Sequence, residues 1–589
     1  MRALIVVAAM ALVSIVAASS PCAASGEASG RPNVVLIVTD DQGFGELGAT
    51  GNPVIRTPHI DRLASQGVSL TLFHVMPVCS PTRACLMTGR YNYRTGVTDT
   101  YLGRSMMHHD ETTLAEMLAA AGYRTGIFGK WHLGDNVPMR AMDRGFQESL
   151  VLNGGGLAQP GDPPAPVDER GAYFNPTLRR NGRWVKTRGY VSDVITDAAV
   201  EFVGREAGGP FFAYLAFNAP HSPHQVPDEY GKRHAPGDFD AARYPRAGNP
   251  MAAKHDPRML GRVYGMIENI DDNVGRLLAR LDERGLARDT IVVLFSDNGC
   301  QDHDGFNAGL RGWKGTTYEG GIHQFCFVRW PARLEQGRKV DRVAAAIDLA
   351  PTLLDLCGVP KPDRVAFDGR SLAPLLRGDR ADWPDRTLFF QWHRGDAPER
   401  YRAFAARSQD WKLVQARGAG ESWDGKAAFQ LFDMKDDPFE QHDLAAREPG
   451  RVARMKAEYD AWFDDVTRGR NYAEPPRIAI GSPSENPVLL TRQDWRGRGA
   501  SWTKDGIGHW EVDVVAPTRC EITMRFAPAK EGGDAVFSCG GVTERRPIRA
   551  GETACTLPGV SLPAGPGRLE GRLEFGPRTA GVHYVEARF

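Results

Sequence analysis

The chain has 589 residues, 42% of them hydrophobic and 24% charged, which excludes a wholly disordered chain and leaves ample length for a large core spread over two to four domains. Lys plus Arg (72) balances Asp plus Glu (72), so no global basic field exists to hold nucleic acid or an anionic membrane, although a local basic pocket stays open. Gly and Pro together make about 18%, enough for many loops but short of low complexity, and nine Cys are too few for a disulfide framework.

Residues 1–24 read as a secretory signal peptide. Arg2 gives a positive start, an apolar run follows from Ala3 to Ala18, broken by Ser14, and small residues come after it. The run is shorter than the ~20 apolar residues of a retained anchor, and no later stretch could span a bilayer. The expectation is an exported chain, periplasmic or secreted.

From there the chain alternates apolar runs with amphipathic segments. Residues 33–39 (NVVLIVT) form a continuous β-branched run, as in a strand buried on both faces. Thr57-Pro58 opens a short helix through residue 63, with Thr57 as N-cap and Pro58 at the first helical position. A helix over 112–121 stops at Gly122, and a strand follows over 123–128. Next come a helix over 192–203, a strand over 210–217, a long helix over 262–284 and a buried strand over 291–295. This alternation predicts an α/β region, 25–380, built on a large, mostly parallel sheet flanked by helices. Strands over 387–392 and 403–414 and a helix over 448–463 predict a smaller α+β subdomain, 381–470. Pro-rich 471–489 reads as a linker, and strands at 510–515, 520–526 and 581–588 place an added all-β module at 490–589.

Polar clusters fall just after four of the apolar runs: Asp40-Asp41, Lys130 with His132, His221 with His224, and Asp297-Asn298. In open α/β sheets ligands sit outside the carboxyl ends of the strands, so four strands deliver these residues to one rim. Any one pair alone reads as turn or cap chemistry; four together do not. Three carboxylates and an amide oxygen form a hard-oxygen set suited to Ca²⁺ or Mg²⁺, whereas zinc would want more His or Cys. Arg83, Lys130, His132, His221 and Lys314 beside such a cation suit a tetrahedral oxyanion, sulfate or phosphate.

Residues 79–90 read CSPTRACLMTGR. Pro81 can open a helix over 82–87, with Cys79 just before its N-terminus, where backbone N–H groups favour an anion. A buried structural Cys and a thiolate nucleophile are the competing readings of Cys79, and Cys85 reads as a packed helix residue. Here the chain resembles the type I, formylglycine-dependent sulfatases: Cys79-x-Pro81-x-Arg83, then Thr88-Gly89-Arg90, matches their signature. The resemblance runs over about 32–465 and takes in GKWHLG at 129–134, NAPHSPHQVP at 218–227, FSDNG at 295–299, LRGWKGTTYEGG at 310–321 and LFDMKDDPFEQHDLA at 431–445.

That resemblance implies an alkaline-phosphatase-like fold and a sulfuric ester hydrolase. Cys79 would be oxidised to formylglycine by a formylglycine-generating enzyme, and one hydroxyl of the hydrated aldehyde would attack sulfur. Asp40, Asp41, Asp297 and Asn298, with residue 79, would hold the metal, Ca²⁺ being favoured by the resemblance and Mg²⁺ allowed by the ligand types. Arg83 and Lys130 would stabilise the formylglycine, His221 with Lys314 would bind sulfate and protonate the leaving alcohol, and His132 would take the proton that releases sulfate. The sequence departs from the family at Ile322-His323-Gln324-Phe325, where Arg and then Val-Pro are usual after Glu319-Gly320-Gly321, which touches a structural ion pair. The specificity segments are the rim loops 99–111, 152–190, 222–258, 299–313 and 391–402, carrying Tyr101, Arg104, His108, His109, Trp184, His303 and Trp313. Of these, His303 is the expected substrate contact. With export, these loops favour a sulfated carbohydrate over a steroid or lipid sulfate. The alternatives are a phosphonate or phosphate ester hydrolase and a non-catalytic sulfated-glycan binder. Cys520, Cys539 and Cys555 leave room for one disulfide in the β module, with no pairing readable.

Overall fold

A computed structural model describes residues 30–162, 172–206, 208–251, 255–301, 305–379, 383–503 and 506–589. The expected signal peptide and His303 lie outside them. Every residue of NVVLIVTD is buried, as an unbroken β-branched run requires, and this strand is central to a ten-stranded sheet. In chain order the strands are β1 (Asn33–Asp40), β2 (Val68–Leu70), β3 (Arg124–Lys130), β4 (Glu148–Leu152), β5 (Thr177–Arg180), β6 (Arg183–Lys186), β7 (Phe211–Pro220), β8 (Thr290–Ser296), β9 (Cys326–Arg329) and β10 (Arg338–Val340). Their order in space is β10-β2-β9-β8-β1-β7-β3-β4-β5-β6. The five strands β8-β1-β7-β3-β4 run parallel. The flanks are mixed: β9 is antiparallel to β8 and β2, and β5–β6 is a hairpin closing that edge.

Six helices matter for the site: α1 (Pro58–Gln66), α2 (Cys79–Thr88), α3 (Leu114–Ala120), α4 (Val191–Gly204), α5 (Pro257–Glu283) and α6 (Pro449–Arg468). Alternate residues of β1 enter two cores, as the two-residue pleat demands. Val34, Leu36 and Val38 pack in the core that holds Leu86 of α2 and Leu114 of α3. Val35 and Ile37 pack in the core that holds Ile60 of α1, Ile195 of α4 and Leu260 of α5. Helices thus cover both faces, and the sheet is an α/β layer structure.

The starts of α1 and α5 differ from the expectation. Thr57 does not cap α1 with its side chain; its hydroxyl donates to Asp61 at 2.9 Å. The free amides of His59 and Ile60 are instead met by Asp271 of α5, at 3.1 and 2.7 Å, so the cap comes from across the core. The long helix starts at Pro257 rather than 262, because Asp256 accepts from the amide of Arg258 and Pro257 fills the first position.

Beyond the main sheet, four antiparallel strands (Leu388–Gln391, Phe404–Arg407, Trp411–Gln415 and Gln430–Asp433) pack against α6. The rings of Phe404 and Tyr459 stack at 3.8 Å, and both belong to the core that holds α2. The C-terminal part forms a six-stranded and a four-stranded sheet around a third core. The stretch read as a linker, 471–489, is not one throughout. Ile478–Ile480 pairs with His509–Val514, and Val488–Thr491 pairs with Tyr584–Arg588. Ile478, Ile480, Val488 and Leu490 are all buried; the surrounding Pro residues mask a two-residue apolar alternation. Leu102, Met106 and Met139 enter this third core from the main region. The buried Arg179–Glu485 ion pair, at 2.6 Å, ties the two together. The eight described Cys are buried, and Cys520, Cys539 and Cys555 form no disulfide among the described residues.

Candidate active site

Because β8, β1, β7 and β3 are adjacent and parallel, the residues that follow them meet at one edge of the sheet. Asp40 ends β1, Lys130 ends β3, and His221 and Asp297 directly follow β7 and β8. Two residues there take a backbone that L side chains rarely adopt: Asp41 has φ 65° and His132 φ 60°. Such conformations cost free energy and cluster at functional sites. Here each turns a side chain back over the sheet end immediately after a strand.

Cys79 reaches the same place from a helix. It is the first residue of α2, with Val78 at the cap, so the helix begins three residues earlier than expected. Pro81 is tolerated because the first-turn amides have no acceptor within the helix. Cys79 is 2% exposed, at the positive end of the helix dipole. Its sulfur and carboxylate oxygens of Asp40 and Asp297 all lie within 4.8 Å of one another.

The charges interlock. Lys130 Nζ donates to Asp40 Oδ2 at 2.7 Å. Arg83 donates to Asp297 Oδ2 through Nε (3.0 Å) and Nη2 (2.7 Å), and through Nη1 to the Lys130 carbonyl (3.0 Å) and the Tyr214 hydroxyl (3.2 Å). Lys314 Nζ lies 2.6 and 2.8 Å from the two oxygens of Asp41, and Asn298 Nδ2 donates to Asp41 Oδ1 at 2.8 Å. His221 Nε2 is 3.7 Å from Asp41 Oδ2. Three carboxylates therefore face three permanent cations, and a divalent cation would bring the site to about +2, suited to an anionic substrate.

Burial raises the pKa of Asp40 against the pull of Lys130. Burial and the charge of Asp40 raise Asp297 to about 6, against the Arg83 guanidinium. Burial acts on Asp41 too, but Lys314, His221 and Lys130 overcome it and hold that carboxyl well below the usual range. Burial raises the Cys79 thiol, opposed by Lys130 and Lys314, which disfavours the thiolate reading. Burial lowers His221 to about 4. Burial and then Lys130 push His132 well below its ordinary value, so both imidazoles are neutral at pH 7.

The donor set fits a hard cation. Asp40 Oδ1 and Asn298 Oδ1 are buried acceptors with no hydrogen-bond partner among the described residues, and an oxygen-seeking ion would satisfy both.

A cavity of about 430 Å³ opens over this cluster, and Cys79, His132, His221 and Lys314 line it. Tyr101, Gln159, Ser222, Gln301, Trp392 and Arg394 also line it, so each of the five expected specificity loops except 99–111's histidines and arginine contributes a wall residue. Arg104 pairs with Asp396 at 2.8 Å instead, His109 is exposed, and Trp184 lies under Arg179. His108 and Trp313 are likewise absent from the lining.

A model of the sulfatase family matches residues 32–359, more than half of the chain, and one described as N-sulphoglucosamine sulphohydrolase, C-terminal, matches 310–458. The chain belongs to the sulfatase family. It is 33% identical to steryl-sulfatase of Mus musculus, over 86% of this chain and 93% of that protein. It is 25% identical to N-acetylglucosamine-6-O-sulfatase of Bacteroides thetaiotaomicron, over 83% and 93%. Among solved structures, Ps i-CgsB in complex with k-i-k-neocarrahexaose aligns with a TM-score of 0.62 at 29% identity, covering 75% of this chain and 95% of that one. The sulfatase is thus a sulfuric ester hydrolase.

Where this sulfatase departs from the family, His323 pairs with Glu319 at 3.0 Å. Glu319 also meets His74 at 3.2 Å and Lys412 at 2.8 Å, all buried. Two contributors to the site had no local sequence signal. The Thr100 carbonyl meets His132 Nε2 at 2.7 Å, and Trp502, from the C-terminal β region, lines the cavity.

Proposed function

We propose that this sulfatase hydrolyses sulfate monoesters of sulfated carbohydrates, with residue 79 as formylglycine and a divalent cation held by Asp40, Asp41, Asp297 and Asn298. The observation that carries it is Cys79 at the N-terminus of α2, buried against two of those carboxylates. A formylglycine-generating enzyme is the maturation partner, and export precedes or accompanies folding through the segment 1–24. The bound cation, Ca²⁺ before Mg²⁺, supplies charge stabilisation to sulfate oxygens. The hydrated aldehyde supplies the second hydroxyl that an ordinary Ser or Cys lacks.

The chain's own groups do the rest. Arg83 and Lys130 fix Asp297 and Asp40 in place and hold positive charge beside residue 79. Lys314, which reaches the cavity, and His221 bind sulfate. His221 is neutral in the empty site; the negative charge of a bound sulfate ester raises its pKa, and the imidazolium so formed is the proton donor to the leaving alcohol. His132 donates from Nε2 to the Thr100 carbonyl, which fixes the tautomer with Nδ1 as the free base. Nδ1 is buried and has no other partner among the described residues, and the lowered pKa keeps it unprotonated at neutral pH.

Polar Gln159, Ser222, Gln301 and Arg394 among Tyr101 and Trp392 suit hydroxylated rings. One relative named above carries an amino sugar in its name and the solved structure named above is a complex with neocarrahexaose, which supports the same reading; steryl-sulfatase makes a steroid sulfate the second one. Peptide mass spectrometry over 79–90, on protein made with a formylglycine-generating enzyme, tests the nucleophile. Turnover of sulfated sugars, a steroid sulfate and phosphate monoesters then tests the substrate. An unmodified thiol in fully active enzyme would end the formylglycine reading, and faster phosphate than sulfate turnover would end the sulfate one.

A further inference from the structure

The cavity over Cys79 has a wall residue that neither family match reaches. The matched residues end at 458, yet Trp502 lines the cavity together with Tyr101, Trp392 and Arg394. We infer that the C-terminal β region is part of the substrate site, and that Trp502 is the platform on which a ring of the substrate's leaving group stacks. This rests on the sulfatase reading above.

The segment that carries Trp502 is built into the site rather than laid over it. Gln493 Nε2 donates to the Thr100 carbonyl at 2.9 Å and to Ser105 Oγ at 3.0 Å. The amide of Gly103 donates to the Gln493 carbonyl at 2.9 Å. Arg496 donates to the Gly103 carbonyl at 2.9 Å, and Arg496 and Arg104 share Asp396. Trp502 itself is anchored through Nε1 to the Arg492 carbonyl at 3.2 Å. Its ring meets Tyr101 edge-on, with centroids 5.0 Å apart and planes at 72°. The ring is only partly buried, so one surface is left for a ligand.

Charge completes the wall. The Arg394 guanidinium sits 4.5 Å from the Tyr101 ring centre and 5.0 Å from that of Trp392. Arg394 is paired with the buried Asp99 carboxylate at 2.7 Å, so the aromatic faces beside this ion pair suit the apolar face and hydroxyls of a sugar ring. Lys314, His221 and His132 lie at the other part of the same cavity with Cys79. The sulfate end is thus handled by the matched family region, and the leaving group by a wall that includes the added β sheets. Held by backbone hydrogen bonds on both sides, the wall needs little ordering when a ligand arrives.

The test uses the full chain with residue 79 converted, and compares wild type, Trp502→Ala and Trp502→Phe. The probes are 4-methylumbelliferyl sulfate, whose leaving group is a flat double ring, and inorganic sulfate as a product inhibitor that fills only the sulfate end. Trp502→Ala is expected to raise KM for the aryl sulfate about tenfold or more, while Ki for inorganic sulfate stays within twofold and Trp502→Phe recovers most of KM. An unchanged KM in an active Trp502→Ala enzyme overturns the inference. So does a rise of KM and Ki together, which would mean a general distortion. Absence of turnover in converted wild type, on this ester and on sulfated sugars alike, would instead fell the sulfatase mechanism itself.

Discussion

Arg83→Met removes one charge from the centre of the site while keeping the length of the side chain. The guanidinium is 1% exposed and donates twice to Asp297, once to a backbone carbonyl and once to Tyr214. Methionine fills the space but leaves Asp297 buried beside Asp40 without its fork. Breaking one partner out of a buried ion pair costs up to about 3–5 kcal/mol, because the other charge stays desolvated or must take up a proton. Unfolding entropy of ~2.1 cal/mol/K per residue gives about 1.2 kcal/mol/K for a chain of this size, so the melting temperature should fall by roughly 2–4 °C. Asp297 already titrates near 6 with Arg83 in place; without that cation its pKa rises, and at pH 7 it takes up a proton. The variant should therefore also bind Ca²⁺ more weakly, by calorimetry, and the loss should shrink above pH 8. Arg83→Lys keeps the charge without the fork and should fall between the two. A melting temperature within about 1 °C of wild type, with Ca²⁺ affinity unchanged, would refute the view that Arg83 holds Asp297 in place.

Three further outcomes are expected. Dialysis against EDTA should lower the melting temperature and abolish sulfate ester turnover, and Ca²⁺ should restore both; indifference to the chelator would sink the metal assignment. Glu485→Ala strands Arg179, which is buried, and frees the amide of Val137. Its cost should be about 3–5 kcal/mol, seen as a lower melting temperature with earlier proteolytic cutting between 471 and 491, whereas an unchanged digest would show that the pair does not fasten the β region. Asp494 is buried with Oδ1 unpartnered among the described residues, and burial and Asp135 raise its pKa well above the ordinary value. A raised folded-state pKa means that the native chain holds this proton more tightly than the unfolded one, so stability falls as pH climbs from about 4 through the folded pKa. Asp494→Asn should accordingly raise the melting temperature at pH 8 and change it little at pH 4; a gain that is larger at pH 4 than at pH 8 would contradict the assignment.

The parallel centre of the sheet was legible because strands buried on both faces are written as unbroken apolar runs, and Asp40, Lys130, His221 and Asp297 stand directly at their ends. The flanks were not. β5 (TLRR) and β6 (RWVK) are four residues each, two of them charged, and read as polar loop. Yet Asn181-Gly182 between them, with φ of 49° and 79°, is a two-residue hairpin signal that could have found them. The cap of α1 is supplied by Asp271, more than 200 residues away, so no local pattern could show it. Asp41 and His132 break the local rule that non-glycine residues avoid positive φ. Such a break is invisible in a sequence, since what imposes it is the placement of two side chains at one sheet end.

The same division separates reaction from substrate. Except for Lys314, which sits in a loop, the groups placed around sulfate follow strands or begin a helix, so their positions are dictated by elements whose hydrophobic pattern can be read. Arg394, Tyr101 and Trp502 come from three segments far apart in the chain, and are brought together by packing between separate sheets. Gln493 and Trp502 lie where composition indicates only an added β module, and nothing near residue 500 marks a binding residue. A reading by local pattern therefore reaches the sulfuric ester chemistry and stops short of the leaving group. In the proposed site the leaving group is met by contacts across about 400 residues of chain, between residues 100–105 and 493–502.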